Sequence, residues 1–112
     1  IAKAYGGTAT IEWQNNTVVT FNDLELTANM LPTLQAVAGA EQVQLMKATT
    51  GGEDFSFYQE KVPGFYYFLG GMTPGNTNAY PHHTPDFQID DSSMKLGVQT
   101  LTQLSLDYLN MK

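Results

Sequence analysis

The chain has 112 residues, a length that supports one domain able to bury roughly two thirds of its unfolded surface. Its formal net charge is −6 and its 5 basic residues are all lysine, which argues against binding to the phosphate backbone of a nucleic acid. It has no cysteine for disulfides or thiol catalysis, and no apolar run of the roughly 20 residues that a membrane span requires.

The N-terminal part of the chain predicts a strand, a turn and a helix. Residues 8–13, TATIEW, alternate apolar and polar side chains with the two-residue period of a half-buried strand. After the turn QNNT, Asn22 and Glu25 have the spacing of a capping box at a helix start. We predict a helix over about residues 23–38, kinked or split by Pro32.

The rest of the chain predicts two strands and two further helices. The apolar run VQLM at residues 43–46 and the aromatic run FYYFLGG at 65–71 are typical of buried strands, with a short helix between them. A long helix is predicted from about residue 92 to 110, with one stripe of Met94, Val98, Leu101, Ser105 and Tyr108 that is widened by Leu104 and Leu109. This order favours an α/β fold, with helices packed on a small mixed sheet.

Two adjacent histidines, His82 and His83, lie in a proline-rich loop. Thr84 precedes a proline and is therefore biased towards extended backbone, which would fix the loop just after His83. In an extended segment neighbouring side chains point to opposite sides, so at most one of the two imidazoles is expected to bind a given metal ion. An isolated pair of this kind is more often two ordinary loop histidines.

A glycine turn precedes the short helix. Gly51 and Gly52 would let the backbone approach a ligand closely, and Glu53 and Asp54 stand at the predicted helix start. Carboxylates stabilise a helix start through its dipole in any case, so the turn alone is a weak indication of a site.

In combination and in this order, these segments resemble the C-terminal part of the M20 family of zinc-dependent amidohydrolases and peptidases. The similarity is strongest to its hippurate hydrolases and N-acyl amino acid amidohydrolases. Three motifs carry it: Gly-x-Glu-Asp-Phe at residues 51–55, Val-Pro-Gly with an aromatic strand at 62–69, and His-Thr-Pro-x-Phe at 83–87. The resemblance covers essentially the whole chain.

The resemblance implies an architecture and an activity. Residues 1–17 would be the end of an inserted lid (dimerisation) domain, with TATIEW at 8–13 as its last strand. Residues 18–112 would be the C-terminal part of a zinc-peptidase-like catalytic domain. The intact protein would be a homodimeric metal-dependent amidohydrolase or carboxypeptidase. It would cleave amide bonds of N-acyl amino acids or small peptides through a metal-activated water.

The resemblance also implies roles for particular residues. His83 matches a metal ligand of the family, whereas His82 inherits no ligand role. The residues that match a segment lining the substrate site are Gly51, Gly52, Glu53 and Asp54.

The implied cofactor is zinc or another divalent metal, with two ions in the intact enzyme. A catalytic zinc takes about three protein ligands, and this chain offers one. We therefore expect an inactive fragment that does not retain metal. Its partner would be the remainder of the same enzyme, with the general base and the other ligands.

Two alternatives stay open. One is a binding module with a degenerate metallopeptidase fold, and the other is a self-standing α/β domain that binds glycans through Trp13, Tyr66, Tyr67 and Tyr80. The low charged fraction, 14%, favours a periplasmic or secreted protein over a cytoplasmic one, but the compartment stays open.

Overall fold

The computed structural model of the chain describes residues 1–14, 16–78 and 80–111. Its helices are α1 (Leu24–Ala38), α2 (Phe55–Gln59) and α3 (Ser92–Asn110), with single 3₁₀ turns at Ala2–Tyr5 and Ala40–Gln42. None of the described helices has the length and apolar character needed to cross a membrane. The predicted turn QNNT contains Asn15, which lies outside the described residues.

The predicted mixed sheet is not supported, because the described residues form helices and no strand. The runs at 8–13, 43–46 and 65–71 are present without regular structure. A strand exists only where a neighbouring segment pairs its backbone N–H and C=O groups, and an alternating or apolar pattern does not supply that neighbour. The prediction of buried strands fails most clearly at Leu45, whose side chain is fully exposed.

The first helix agrees with its prediction, but its cap differs. The side chain of Asp23, rather than that of Asn22, caps α1 by accepting the Leu26 N–H at 2.8 Å. Pro32 does not split the helix, which continues to Ala38. Asn22 is thereby free to bind elsewhere: its side chain donates to the Tyr66 carbonyl at 2.7 Å and accepts the Tyr66 N–H at 2.8 Å.

The core lies between α1 and α3. Met30 and Leu34 of α1 are buried together with Leu104 of α3, and partly buried side chains surround them. Burial of these three side chains removes apolar surface from water, which is the main favourable contribution to the contact.

Hydrogen bonds to Asp107 also join α1 and α3 at this interface. The hydroxyl of Thr33 donates to Asp107 Oδ2 at 2.5 Å, and the Gln103 amide donates to Asp107 Oδ1 at 2.7 Å. These two donors lower the pKa of Asp107 because they favour its charged form. The contribution of Asp107 to stability is therefore present above its unfolded pKa of about 3.9 and is lost as the pH falls through its folded pKa.

The face of α3 that is buried overlaps the predicted stripe only at Leu104. Val98 and Leu101 of that stripe are exposed, whereas Thr100 and Leu104 are buried. The hydroxyls of Thr100 and Tyr67 lie 2.9 Å apart, which places the aromatic segment 65–71 against α3.

The chain is much less compact than a closed domain. Its radius of gyration is 19.5 Å, whereas roughly 13 Å is expected for a compact domain of about this length. Large apolar side chains are consequently exposed along the segments that lack regular structure, among them Ile11, Trp13 and Phe68.

The small core makes the helix pair sensitive to truncation at Leu34. We expect Leu34→Ala to lower the free energy of unfolding by about 2 kcal/mol, the lower end of the range for buried leucines, because partly exposed neighbours can relax into the space. Urea unfolding followed by far-UV circular dichroism measures this change. Leu34 is 6% exposed and Leu45 is 102% exposed, so Leu45→Ala is the matched control. Equal losses for the two variants would show that the α1–α3 contact does not hold the structure.

Candidate functional site

The two glycines of the turn differ in their surroundings: Gly51 faces open space, and Gly52 packs against another segment. No atom lies within 4 Å of the position that a Cβ would take at Gly51, so its backbone is accessible. At Gly52 a Cβ would come within 3.1 Å of Thr17 Cγ2, so the turn packs closely against the segment that precedes α1. The open backbone at Gly51 can approach a bound molecule, whereas Gly52 fixes the turn in place.

The two acids of the turn have different surroundings. The carboxylate of Glu53 accepts the Tyr66 hydroxyl at 2.9 Å and the Phe55 N–H at 3.1 Å. Asp54 is exposed and its side chain makes no capping hydrogen bond to α2. Glu53 therefore has a positioning role in the turn, and Asp54 is the acid that faces solvent.

Ser56 and Asn22 hold this arrangement from either side. Ser56 is fully buried, and its hydroxyl donates to the Glu53 carbonyl at 2.6 Å and accepts the Val18 N–H at 3.4 Å. Asn22 fixes the backbone of Tyr66, whose ring also lies against Phe55 with centroids 5.7 Å apart. No local pattern in the sequence indicates these roles, since they depend on contacts between residues far apart in the chain.

The Glu53 carboxylate raises the pKa of Tyr66. The main cause is the hydrogen bond that the Tyr66 hydroxyl donates to Glu53, and partial burial and the negative charge of Glu53 act in the same direction. Neutral Tyr66 is therefore stabilised as a donor to the turn.

The histidine loop is a turn and not an extended segment. His83 has a left-handed backbone with φ 64°, which is uncommon for a residue other than glycine. The Thr84 hydroxyl donates to the Pro81 carbonyl at 2.8 Å, and the Phe87 N–H donates to the Thr84 carbonyl at 3.1 Å. The expected extended geometry, with imidazoles on opposite sides, is therefore wrong.

The two imidazoles lie near each other but have different contacts. Their ring centroids are 6.4 Å apart, with the rings nearly perpendicular. His82 packs edge to face on Phe87 with centroids 4.8 Å apart, and it lines a pocket of about 340 Å³. His83 is exposed and does not line that pocket.

The described residues do not form a complete metal site. They contain no group of three or more His, Cys, Asp or Glu side chains placed to hold one ion. None of the described hydrogen bonds or ring contacts joins His83 to Gly51, Gly52, Glu53 or Asp54. The exposed imidazole of His83 can supply one ligand, which is fewer than a catalytic zinc takes.

The aromatic residues considered for glycan binding do not form one exposed platform. Tyr66 is bonded to Glu53 and Tyr67 lies against Thr100, so both hydroxyls have partners inside the chain. Trp13 is exposed, within a segment that makes no described hydrogen bond to the turn or to α3.

A comparison with known protein families identifies the family of this chain. A sequence profile of the peptidase family M20/M25/M40 matches residues 5–107, nearly the whole chain. The chain belongs to this family.

Curated relatives agree with this assignment to the M20 family. The chain is 28% identical over 111 residues to "Thermostable carboxypeptidase 2" of Saccharolobus solfataricus, which covers 98% of the chain and 28% of that protein. It is 29% identical over 82 residues to "Putative amidohydrolase YhaA" of Bacillus subtilis, a match that covers 73% of the chain and 21% of that protein. It is 32% identical over 74 residues to "IAA-amino acid hydrolase ILR1-like 6" of Arabidopsis thaliana, a match that covers 66% of the chain and 16% of that protein.

The chain thus spans under a third of the length of these three relatives. No solved structure matches it. The relatives establish a hydrolase family, and the names carboxypeptidase and amidohydrolase both occur in it.

The contact between Glu53 and Tyr66 can be tested by titration. We expect Glu53→Gln to lower the pKa of Tyr66 towards its ordinary value, because the carboxylate that favours the neutral phenol is removed. NMR of chains labelled at tyrosine Cζ measures the change, and Tyr66→Phe identifies the signal. Glu60 is exposed, so Glu60→Gln is the control that should leave the pKa of Tyr66 unchanged. An unchanged pKa in Glu53→Gln would contradict the contact.

The direction of the pKa shift of Tyr66 also determines how its contribution to stability changes with pH. The folded pKa of Tyr66 is raised, so its contribution to stability is complete below its unfolded pKa of about 10 and is lost as the pH rises through the folded value. Glu53→Gln should reduce this loss at alkaline pH.

Proposed function

We propose that this chain is part of an M20 hydrolase that cleaves amide bonds of N-acyl amino acids or small peptides. The family match over residues 5–107 carries the proposal. The substrate class is supported by the names of the relatives, a carboxypeptidase, an amidohydrolase and an IAA-amino acid hydrolase. The resemblance of His83 to a ligand of the family provides the chemical link to the site.

We place the boundary between the lid (dimerisation) domain and the catalytic domain at residues 17 and 18. Residues 8–14 are exposed throughout and make no described hydrogen bond to the rest of the chain. Tertiary contacts begin at Thr17, against Gly52, and at Val18, which donates to Ser56. This change in contacts falls within one residue of the proposed boundary, with residues 1–17 as the end of the lid and 18–112 as catalytic domain. The homodimer is proposed from the family resemblance alone.

In this proposal His83 is one ligand of a divalent metal site, and the remainder of the enzyme supplies the other ligands and the general base. A metal bound there would lower the pKa of a water and polarise the scissile carbonyl. The left-handed backbone at His83 supports a positioned ligand, because residues in such sparsely populated conformations cluster at functional sites.

The glycine turn is proposed to line the substrate site, and its residues have different roles there. Gly51 leaves its backbone open to the substrate, and exposed Asp54 lies beside it. Glu53 orients the turn through Tyr66, and Gly52 packs the turn on Thr17. The substrate contact is therefore expected from the backbone at Gly51 rather than from the Glu53 carboxylate.

The chain on its own is expected to be inactive. The described residues offer one plausible metal ligand at His83 and no complete donor set, so neither metal retention nor turnover of N-acyl amino acids is expected. The measurement is hydrolysis of N-acyl amino acids by the purified 112-residue chain with added zinc, beside the complete protein. Metal-dependent turnover by the chain alone would overturn the fragment interpretation.

The two histidines should differ in the complete protein. We expect His83→Ala to reduce both metal content and turnover by more than about 100-fold, since loss of a ligand should exceed the 10- to 100-fold effect typical of losing an outer partner. His82→Ala is the adjacent control and should leave metal content unchanged, because its ring packs on Phe87. Elemental analysis and turnover of both variants provide the test.

Two outcomes would count against this assignment. A loss of metal at His82→Ala equal to or larger than that at His83→Ala would show that the motif is aligned in the wrong register. A complete protein that binds N-acyl amino acids without hydrolysing them, and that contains no metal, would favour the degenerate binding module.

A further inference from the structure

We infer that Thr84 is a positioning residue for the metal ligand, because its hydroxyl holds His83 in the backbone conformation that presents the imidazole to the ion. Thr84 itself would not bind the ion and would act through His83. This role rests on the proposed function of His83 as a ligand of a divalent metal. It adds which side chain of the chain fixes that ligand before the ion binds.

The backbone of His83 needs a restraint from outside the residue. Its φ of 64° lies in the left-handed region, which is disfavoured for residues other than glycine because Cβ crowds the following carbonyl oxygen. His83 is exposed, and none of the described hydrogen bonds involves it, so its own side chain does not hold it in this conformation. The restraint therefore comes from neighbouring residues.

Thr84 supplies that restraint through its hydroxyl. The hydroxyl donates to the Pro81 carbonyl at 2.8 Å and thereby closes a turn around the two histidines. Hydroxyl side chains that bond to nearby backbone stabilise turns in this way. Thr84 is half-buried, whereas the other residues of 81–87 are exposed. Its side chain thus lies on the inner side of the turn and the imidazole of His83 on the outer side.

The backbone of Thr84 continues the arrangement towards α3. Its carbonyl accepts the Phe87 N–H at 3.1 Å, and the Asp90 N–H donates to the Gly71 carbonyl at 2.7 Å, which attaches the end of the loop to the aromatic segment. At the start of the loop Pro81 has no N–H, so its carbonyl is its one main-chain hydrogen-bonding group. The Thr84 hydroxyl uses the group through which the start of the loop can be fixed.

A ligand that is held in place before the ion arrives binds the ion more tightly. The apparent dissociation constant of a metal rises as the fraction of protein with a binding-competent ligand falls. Without the Thr84 hydroxyl, His83 can relax from the left-handed towards the extended backbone that most residues prefer. Metal affinity should then fall, while reaction at a site that is already filled should change much less.

The test is the zinc affinity of the complete protein, measured by competition with a chelator, in Thr84→Val and Thr84→Ser. Valine keeps the branched shape of threonine without its hydroxyl, and serine keeps the hydroxyl. We expect Thr84→Val to raise the dissociation constant of zinc about 5-fold, the effect of losing one hydrogen bond, and Thr84→Ser to retain most of the affinity. Turnover of Thr84→Val at saturating zinc should fall much less than its affinity.

The backbone of the metal-free 112-residue chain provides a second measurement. The three-bond coupling between HN and Hα of His83 is smaller at φ 64° than in extended backbone. We expect this coupling to increase in Thr84→Val and to stay unchanged in Thr84→Ser. If the complete Thr84→Val protein does not fold, this coupling decides.

Thr27→Val is the matched control. Thr27 of α1 is half-buried like Thr84, but its hydroxyl has no hydrogen-bond partner among the described residues. Zinc affinity should be unchanged in Thr27→Val. Equal losses in Thr27→Val and Thr84→Val would assign the effect to general destabilisation and overturn the positioning role.

The remaining outcomes separate the role of Thr84 from the proposed function. Zinc-dependent hydrolysis with an affinity that Thr84→Val leaves unchanged would overturn the role of Thr84 and leave the proposed function intact. Equal losses in Thr84→Val and Thr84→Ser would also overturn it, because the hydroxyl would not be the cause. A complete protein that neither binds zinc nor hydrolyses N-acyl amino acids would overturn both.

Discussion

The packing of α3 on α1 through Leu104, Met30 and Leu34 is the contact on which the order of the other segments depends. It joins two helices that are far apart in the sequence, and Thr33 and Asp107 fix their relative position with a hydrogen bond. Since the described chain buries few other apolar side chains, this contact has no substitute elsewhere in the described residues. Loosening the helix pair would therefore disturb segments that do not touch it directly.

A short series of contacts leads from that helix pair to the candidate site. Thr100 of α3 meets Tyr67, and the neighbouring Tyr66 holds Glu53 with its hydroxyl and Asn22 with its backbone. The glycine turn is thus positioned by the aromatic segment, and that segment by α3. The histidine loop is connected differently, since the Asp90 N–H just before α3 donates to the Gly71 carbonyl at 2.7 Å.

Local signals predicted the helices and the family, while features that depend on distant partners were not predictable. The 3.6-residue periodicity sufficed for α1 and α3, and the capping-box spacing marked the start of α1. Asn22 and Asp23 are both good caps, however, and the pattern could not choose between them. Strand pairing and the buried face of α3 depend on which segment lies opposite. The bias of Thr84 towards extended backbone suggested a straight loop, but it does not restrict His83, which turns the chain.

The paired hydrogen bonds of Asn22 have a consequence for the chemical ageing of the protein. An amide side chain offers an NH₂ donor group beside a carbonyl acceptor, which is what the Tyr66 carbonyl and N–H require at 2.7 and 2.8 Å. Deamidation would convert Asn22 to an aspartate of nearly the same shape. One of its carboxylate oxygens would then face the Tyr66 carbonyl oxygen, so the donor would be replaced by repulsion. A single hydrolysed amide would thereby weaken the connection between the start of α1 and the segment that holds the glycine turn, leaving there the hydrogen bond that the Asp23 N–H donates to the Gly64 carbonyl at 3.0 Å.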